Sequence, residues 1–274
     1  MQMYFKNKFG RVNFSASGRG SVRITDISGI SNTQLRRESI TLADGSSYTA
    51  AEYPDVRRIT VGGDLLAGRC ELSKISRILS RGGTLSIIAK GKLRRIFCDS
   101  VIFSVGDRYG AYRKYSAVFV CNAPYFTDFT PNAVYVRRRE DLIYPSFTLP
   151  CVFTQSVSRV SVINSGDAIT PPVFEITALQ GGSGSVILKN HTAGKQLSFT
   201  HTFSPGETVI ANIGNRTLIS DVSGSIINSL SADSAMSEFY LVCGANDIEF
   251  AAADTDVDFD CRTTFFNLYC EGEY

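Results

Sequence analysis

A mainly β fold in two domains follows from three observations on this 274-residue chain. Short runs of alternating apolar and polar residues recur between clusters of Gly, Asn, Asp and Ser, the pattern of half-buried strands. Clear helical periodicity occurs in one place only. Charge divides along the length: residues 1 to 140 carry 23 Lys/Arg against 11 Asp/Glu, a net of +12, and residues 141 to 274 carry 5 against 15, a net of −10. Halves of opposite charge imply two domains that face different partners.

In the basic half, residues 22–27 and 56–61 alternate, and strand-like runs continue over 85–89, 95–105 and 112–121. The last two flank Gly106-Asp-Arg-Tyr-Gly110, which predicts a hairpin. From Glu71 to Ser80 the apolar residues Leu72, Ile75, Ile78 and Leu79 share one face of a helix, and Arg81-Gly82-Gly83 supplies its stop. This half is read as a sheet with one helix packed on it. Pro124, Pro131, Pro145 and Pro150, with the run Arg137-Arg138-Arg139, mark the joint. We divide the domains at 1–135 and 136–274.

The acidic half has almost no helical periodicity. Strands are expected over 159–164, 173–179, 185–189, 196–202, 208–213, 216–220, 246–251 and 257–269. Turn signals such as Gly181-Gly-Ser-Gly184 and Ser204-Pro-Gly206 recur about every ten residues, the spacing of a β-sandwich.

Composition excludes several classes. No apolar run approaches the roughly 18 residues of a membrane span, and the N-terminal residues lack the apolar core of a signal peptide. The 7 cysteines (70, 98, 121, 151, 243, 261, 270) are odd in number and contain no CxxC pair, against a disulfide framework or zinc ribbon. They read as small buried groups in a protein made in a reducing cytoplasm.

Catalytic chemistry finds little support. His191 and His201 lie in no nucleophile motif and read as surface or turn residues. Ser17-Gly-Arg-Gly20 lacks the GK[ST] of a phosphate loop. Asp254, Asp256, Asp258 and Asp260 alternate and could line one face of a strand as Ca²⁺ ligands, or form a solvated face; no EF-hand glycine follows. Arg57, Arg58, Arg94 and Arg95 suit an anionic partner, but they are spread over several strands and no nucleic-acid motif accompanies them. An acidic protein partner is the better reading, and direct nucleic-acid binding is not expected. Neither a cofactor nor a metal is implied.

Three places then resemble a known family. Phe119-Val-Cys-Asn-Ala-Pro-Tyr-Phe126 is similar to an aromatic C-x-x-P-Y-F stretch, and Leu241-Val-Cys-Gly-Ala-Asn-Asp-Ile248 to an L-x-x-G-x-N-x-I segment. The order of Pro172–Ile176, Ile187–Asn190, Gly206-Glu-Thr-Val209 and Asn215-Arg216 matches the strand order of the same family. That family is the distal tail proteins (Dit) of siphophages and prophages of Gram-positive bacteria. The resemblance implies an N-terminal ring-forming β-sheet domain with one helix and a projecting hairpin, assembling as a hexamer. It also implies a C-terminal galectin-like β-sandwich and a structural, non-enzymatic role. The ring would join the tail-tube protein to a tail-associated adhesin or baseplate protein, in the virion tail tip.

In that frame Cys121, Pro124, Tyr125, Phe126, Gly244, Asn246 and Ile248 are structural motif residues. Pro124 ends a strand, Tyr125 and Phe126 suit the domain joint, and Gly244 and Asn246 tolerate positive φ. Arg57, Arg58, Arg94 and Arg95 are the candidate ring or partner interface. The alternative is a carbohydrate-binding module for host-surface attachment; the absence of Trp, the usual sugar platform, weighs against it.

Overall fold

The computed structural model describes residues 2–16, 22–31, 33, 35–66, 71–137, 156–253 and 257–272. Ser17–Gly20, Cys70, Arg138, Arg139, Pro145, Pro150, Cys151, Asp254 and Asp256 lie outside them. The chain forms two compact units, Met1–Phe129 with Leu268–Tyr274, and Thr130–Asn267. The division thus falls a few residues before the 135/136 boundary read from the sequence, and the last residues return to the first unit.

The first unit contains β1 (Gln2–Asn7), β2 (Gly10–Ser15), β3 (Val22–Ser28), β4 (Leu35–Thr41), β5 (Ser47–Pro54) and β6 (Arg57–Leu66). Helix α1 (Leu72–Leu79) follows, then β7 (Gly83–Ala89), β8 (Lys92–Cys98), β9 (Ser100–Tyr109), β10 (Tyr112–Cys121) and β11 (Phe126–Asp128). One sheet runs in the order terminal strand (Leu268–Tyr269), β11, β8, β7, β1, β2, β3, β6, β10, β9. Its inner face buries Met3, Phe5, Val12, Phe14, Ile59, Val61, Leu85, Ile87 and Phe119. The Phe119 ring packs 5.4 Å from Phe5 and 6.1 Å from Phe14. Ile75, Ile78 and Leu79 carry α1 onto this core, as the spacing predicts. Asn7 Nδ2 caps the helix end by donating to the Ile78 carbonyl at 2.8 Å. Only glycine fits at 83, where a Cβ would lie 2.6 Å from the Lys6 carbonyl oxygen.

The terminal strand is held by two buried arginines. It pairs with β11 through Phe126 with Tyr269 and Thr127 with Leu268. Arg57, 5% exposed, donates to the carbonyls of Ile30 at 3.0 Å and Cys270 at 2.5 Å and to Thr33 Oγ1 at 2.7 Å. Its guanidinium lies 4.9 Å from the Phe126 ring centroid. Arg94 ion-pairs with Asp128 and stacks 3.2 Å over the Tyr269 ring. The Tyr269 hydroxyl completes the set by donating to Asp128 at 3.2 Å. Gly272 closes on the Phe126 ring, where a side chain would not fit.

The second unit contains β12 (Asn132–Arg137), β13 (Ser156–Asn164), β14 (Val173–Ala178), β15 (Gly182–Asn190) and β16 (Lys195–Phe203). β17 (Thr208–Asn212), β18 (Thr217–Ser220), β19 (Gly224–Ser225), β20 (Gly244–Ala253) and β21 (Phe259–Phe265) complete it. Two antiparallel sheets form, β12-β21-β14-β17-β18-β19 and β13-β20-β15-β16. Alternate residues of both bury one core that includes Val162, Phe174, Ile176, Leu188, Phe199, Val209, Ile248, Phe250 and Phe259. Each strand expected from the acidic half has a counterpart, and the expected run 257–269 splits between β21 and the terminal strand.

A buried carboxylate fixes one corner of this unit. Glu207 accepts from the Ser204 amide at 2.7 Å, from the Ser220 hydroxyl and from His201 Nε2 at 2.9 Å. Burial alone would raise its pKa; the Ser204 amide, the Ser220 hydroxyl and His201 outweigh that and hold it below the usual carboxylate range. As pH falls, the unfolded chain therefore takes up this proton first, and the stabilisation is lost as pH drops through the folded value.

Two outcomes are expected. Arg57→Ala orphans the Ile30 and Cys270 carbonyls and should cost about 2–4 kcal/mol, with faster hydrogen exchange over 268–272, whereas exposed Arg58→Ala should stay within about 0.5 kcal/mol. Glu207→Gln should cost about 1–3 kcal/mol near neutral pH. In thermal unfolding it should also flatten the stability loss that the parent shows below about pH 4.5.

Candidate functional site

The clearest exposed feature of the first unit is the hairpin of β4 and β5. Among the described residues these strands pair only with each other, as a separate two-stranded sheet, and nearly every residue is exposed. A two-stranded hairpin is marginal by itself in water, yet this one exposes Leu35, Ile40, Leu42, Tyr48 and Tyr53. Its tip is a tight turn. Gly45 takes φ +83°, the Leu42 amide donates to the Ser46 carbonyl at 2.7 Å, and the Ser46 amide donates to Asp44 at 2.9 Å. In the sequence only Asp44-Gly45, a strong hairpin signal, marks these two strands.

The outer edge of the ten-stranded sheet is β9, bonded among the described residues to β10 alone. Ser100, Ile102 and Ser104 point outward, and Ile102 is 64% exposed. An edge strand of this length offers unpaired backbone groups to another chain. The hairpin expected around residues 106–110 joins β9 to β10, with Tyr109 opposite Tyr112.

The four candidate interface arginines divide. Arg57 and Arg94 are not surface cations; both are buried in the terminal-strand clamp, because carbonyls, a carboxylate and two rings take up their charge. Arg58 is exposed, and Arg95 lies half-buried 5.6 Å from the Phe129 ring. Arg137 pairs with Asp258 in the second unit.

The motif residues lie in well-defined places. Cys121 is buried with its Sγ 3.4 Å from Cys98 Sγ; that contact and burial push the Cys98 thiol up. Pro124 is buried and Tyr125 half-buried between β10 and β11. Phe126 lies in the core of the first unit, in contact with Arg57 and Gly272. Gly244 has φ +91°, but Asn246 is not among the positive-φ residues. Asn246 acts through its buried amide, which accepts from the Val242 amide at 2.8 Å and donates to the carbonyls of Val242 at 2.7 Å and Gly244 at 3.1 Å. Ile248 is core. Two further buried asparagines support the same end of the unit: Asn190 bonds Asn246 and the Tyr240 carbonyl, and Asn164 bonds the Leu241 carbonyl.

Among the described residues no three His, Cys, Asp or Glu side chains converge. Of the carboxylate ladder, Asp258 is committed to Arg137. His191 sits on a turn beside Glu249 at 2.6 Å. His201 is half-buried and held by Glu207, not a surface residue. No helix among the described residues is long and apolar enough to cross a membrane.

Comparison with known proteins gives a consistent result. Residues 165–265 match the family model of the siphovirus-type tail component, C-terminal domain (SPP1 Dit). The solved structure of SPP1 Dit (gp 19.1), described as a hub of the adsorption apparatus in phages infecting Gram-positive bacteria, superposes with a TM-score of 0.62. Identity is 13%, over 89% of this chain and 92% of that one, so it shows a shared fold. A chain of the phage P2 baseplate in its activated conformation with Ca aligns at 8% identity and TM-score 0.45, over 93% and 98% of the two chains. No curated protein sequence matches. Over residues 165–265 the chain is thus similar to the C-terminal domain of the siphovirus-type tail components, and it shares the fold of SPP1 Dit along most of its length.

Proposed function

We propose that this protein is the structural hub of a phage tail tip. Copies close into a hexameric ring through the first unit, and the ring joins the tail-tube protein to a tail-associated adhesin or baseplate protein. The second unit is a galectin-like sandwich directed outward. The protein works without catalysis, in the virion, after synthesis in the bacterial host cytoplasm.

The observation that carries this reading is the β4–β5 hairpin. It exposes five large apolar side chains and has no packing partner among the described residues, so a neighbouring subunit is the natural cover for it. A hairpin from one copy meeting a different surface on the next is a heterologous contact, and such contacts close into rings when the rotation permits.

Charge supports a docking role. Residues 1–129 with 268–274 carry 20 Lys/Arg against 12 Asp/Glu, a net of +8; residues 130–267 carry 8 against 14, a net of −6. A basic ring suits acidic surfaces on the tube or adhesin.

Two measurements test this. Mass photometry should find closed oligomers of the parent, whereas the triple variant Ile40→Asp, Leu42→Asp, Tyr48→Asp should be monomeric with its thermal midpoint little changed. A variant that still forms rings would refute the hairpin contact. Raising salt from low to about 1 M, where the Debye length shrinks to about 3 Å, should weaken ring-to-tube docking well before either unit unfolds. Salt-independent docking would refute the electrostatic part.

A further inference from the structure

One cleft of the second unit has no part in the fold or assembly described above. It opens at the turn joining β15 and β16, with a volume of about 420 Å³, within the range of roughly 300–1,000 Å³ typical of small-molecule sites. Lys189, His191, Lys195, Gln196, Asp233 and Ala235 line it.

The lining is held in place from behind. His191 Nε2 lies 2.6 Å from Glu249, Lys195 pairs with Glu238, and the Gln196 amide donates to Asp233. Asp233 also accepts from the Ser198 hydroxyl at 3.3 Å. Each anchored group keeps further capacity: Lys195 has two more N–H donors, Gln196 a carbonyl oxygen, and Asp233 spare lone pairs. Lys189 stands in register between Gln196 and Glu249 and, among the described residues, makes no hydrogen bond or ion pair. Its ammonium is the uncommitted donor of the cleft.

The chemistry narrows the ligand. Two ammonium groups face one lining carboxylate, with Glu238 and Glu249 immediately behind, so no positive surplus remains to favour a phosphate. The His191 imidazole, held by Glu249, is the one ring in the lining, and no Phe or Tyr joins it, so a nucleobase finds no second ring to be sandwiched against. Hydroxyl groups both donate and accept, which suits a wall of interleaved donors and acceptors. The methylene stems of Lys189 and Lys195, with Ala235, offer contact to ring C–H groups.

We propose that this cleft is a saccharide site that takes a neutral sugar through adjacent hydroxyls, with Lys189 and Gln196 donating and Asp233 accepting. It stands independently of the hub reading, which rests on the first unit. The test is saturation-transfer NMR and calorimetry on the purified full chain, using neutral hexoses and N-acetylhexosamines, with a sugar phosphate and adenosine monophosphate as contrasts. Neutral sugars should bind, and Lys189→Ala should weaken them about tenfold, the value of one such hydrogen bond, with the thermal midpoint unchanged because Lys189 holds no partner. Asp233→Asn should weaken them similarly. Preference for the phosphorylated probes, absence of binding by any neutral sugar at millimolar concentration, or undiminished binding by Lys189→Ala would overturn the proposal.

Discussion

Two buried guanidinium groups decide how this chain is organised. Arg57 and Arg94 reach the backbone and ring of a strand that the chain forms only after completing the second unit. A buried arginine is tolerable only when its donors are satisfied, and here the last residues supply part of that satisfaction. The consequence is topological: residues 130–267 are an insertion in the first unit, leaving after β11 and returning on its hydrogen-bonded neighbour. Exit and entry are therefore adjacent, and the inserted unit can diverge in sequence without changing the sheet that carries it.

A second constraint acts outward. The ten-stranded sheet satisfies its own interior but leaves β9 as an edge, while β4 and β5 project apolar side chains that nothing among the described residues covers. A monomer would carry both as liabilities. In the proposed ring both would become contacts. The charge polarity of the chain belongs to the same picture, though it is weaker than a division at residue 140 implies. Arg137, Arg138 and Arg139 fall in the second unit, and Arg57 and Arg94 are consumed inside the first.

The parts legible in the sequence are those where one face is buried and turns are marked. α1 and the strands of the sandwich show their period because a core lies on one side of each. The β4–β5 hairpin shows no alternation of burial, because neither face is covered, and only its Asp44-Gly45 turn betrays it. The arginine clamp was illegible for a different reason. Arg57 and the Cys270 carbonyl are 213 residues apart, and no local pattern separates a buried cation from an exposed one. Asn246 was singled out for its backbone, yet its side chain carries the role, since a buried amide can substitute for a turn of backbone hydrogen bonds.

The most direct test of the hub account is a cryo-EM reconstruction of the intact protein, alone or bound to a siphovirus tail. The account predicts a closed ring in which each β4–β5 hairpin packs against the neighbouring copy. A particle without cyclic symmetry, or a ring in which residues 35–54 touch no other subunit, would contradict it.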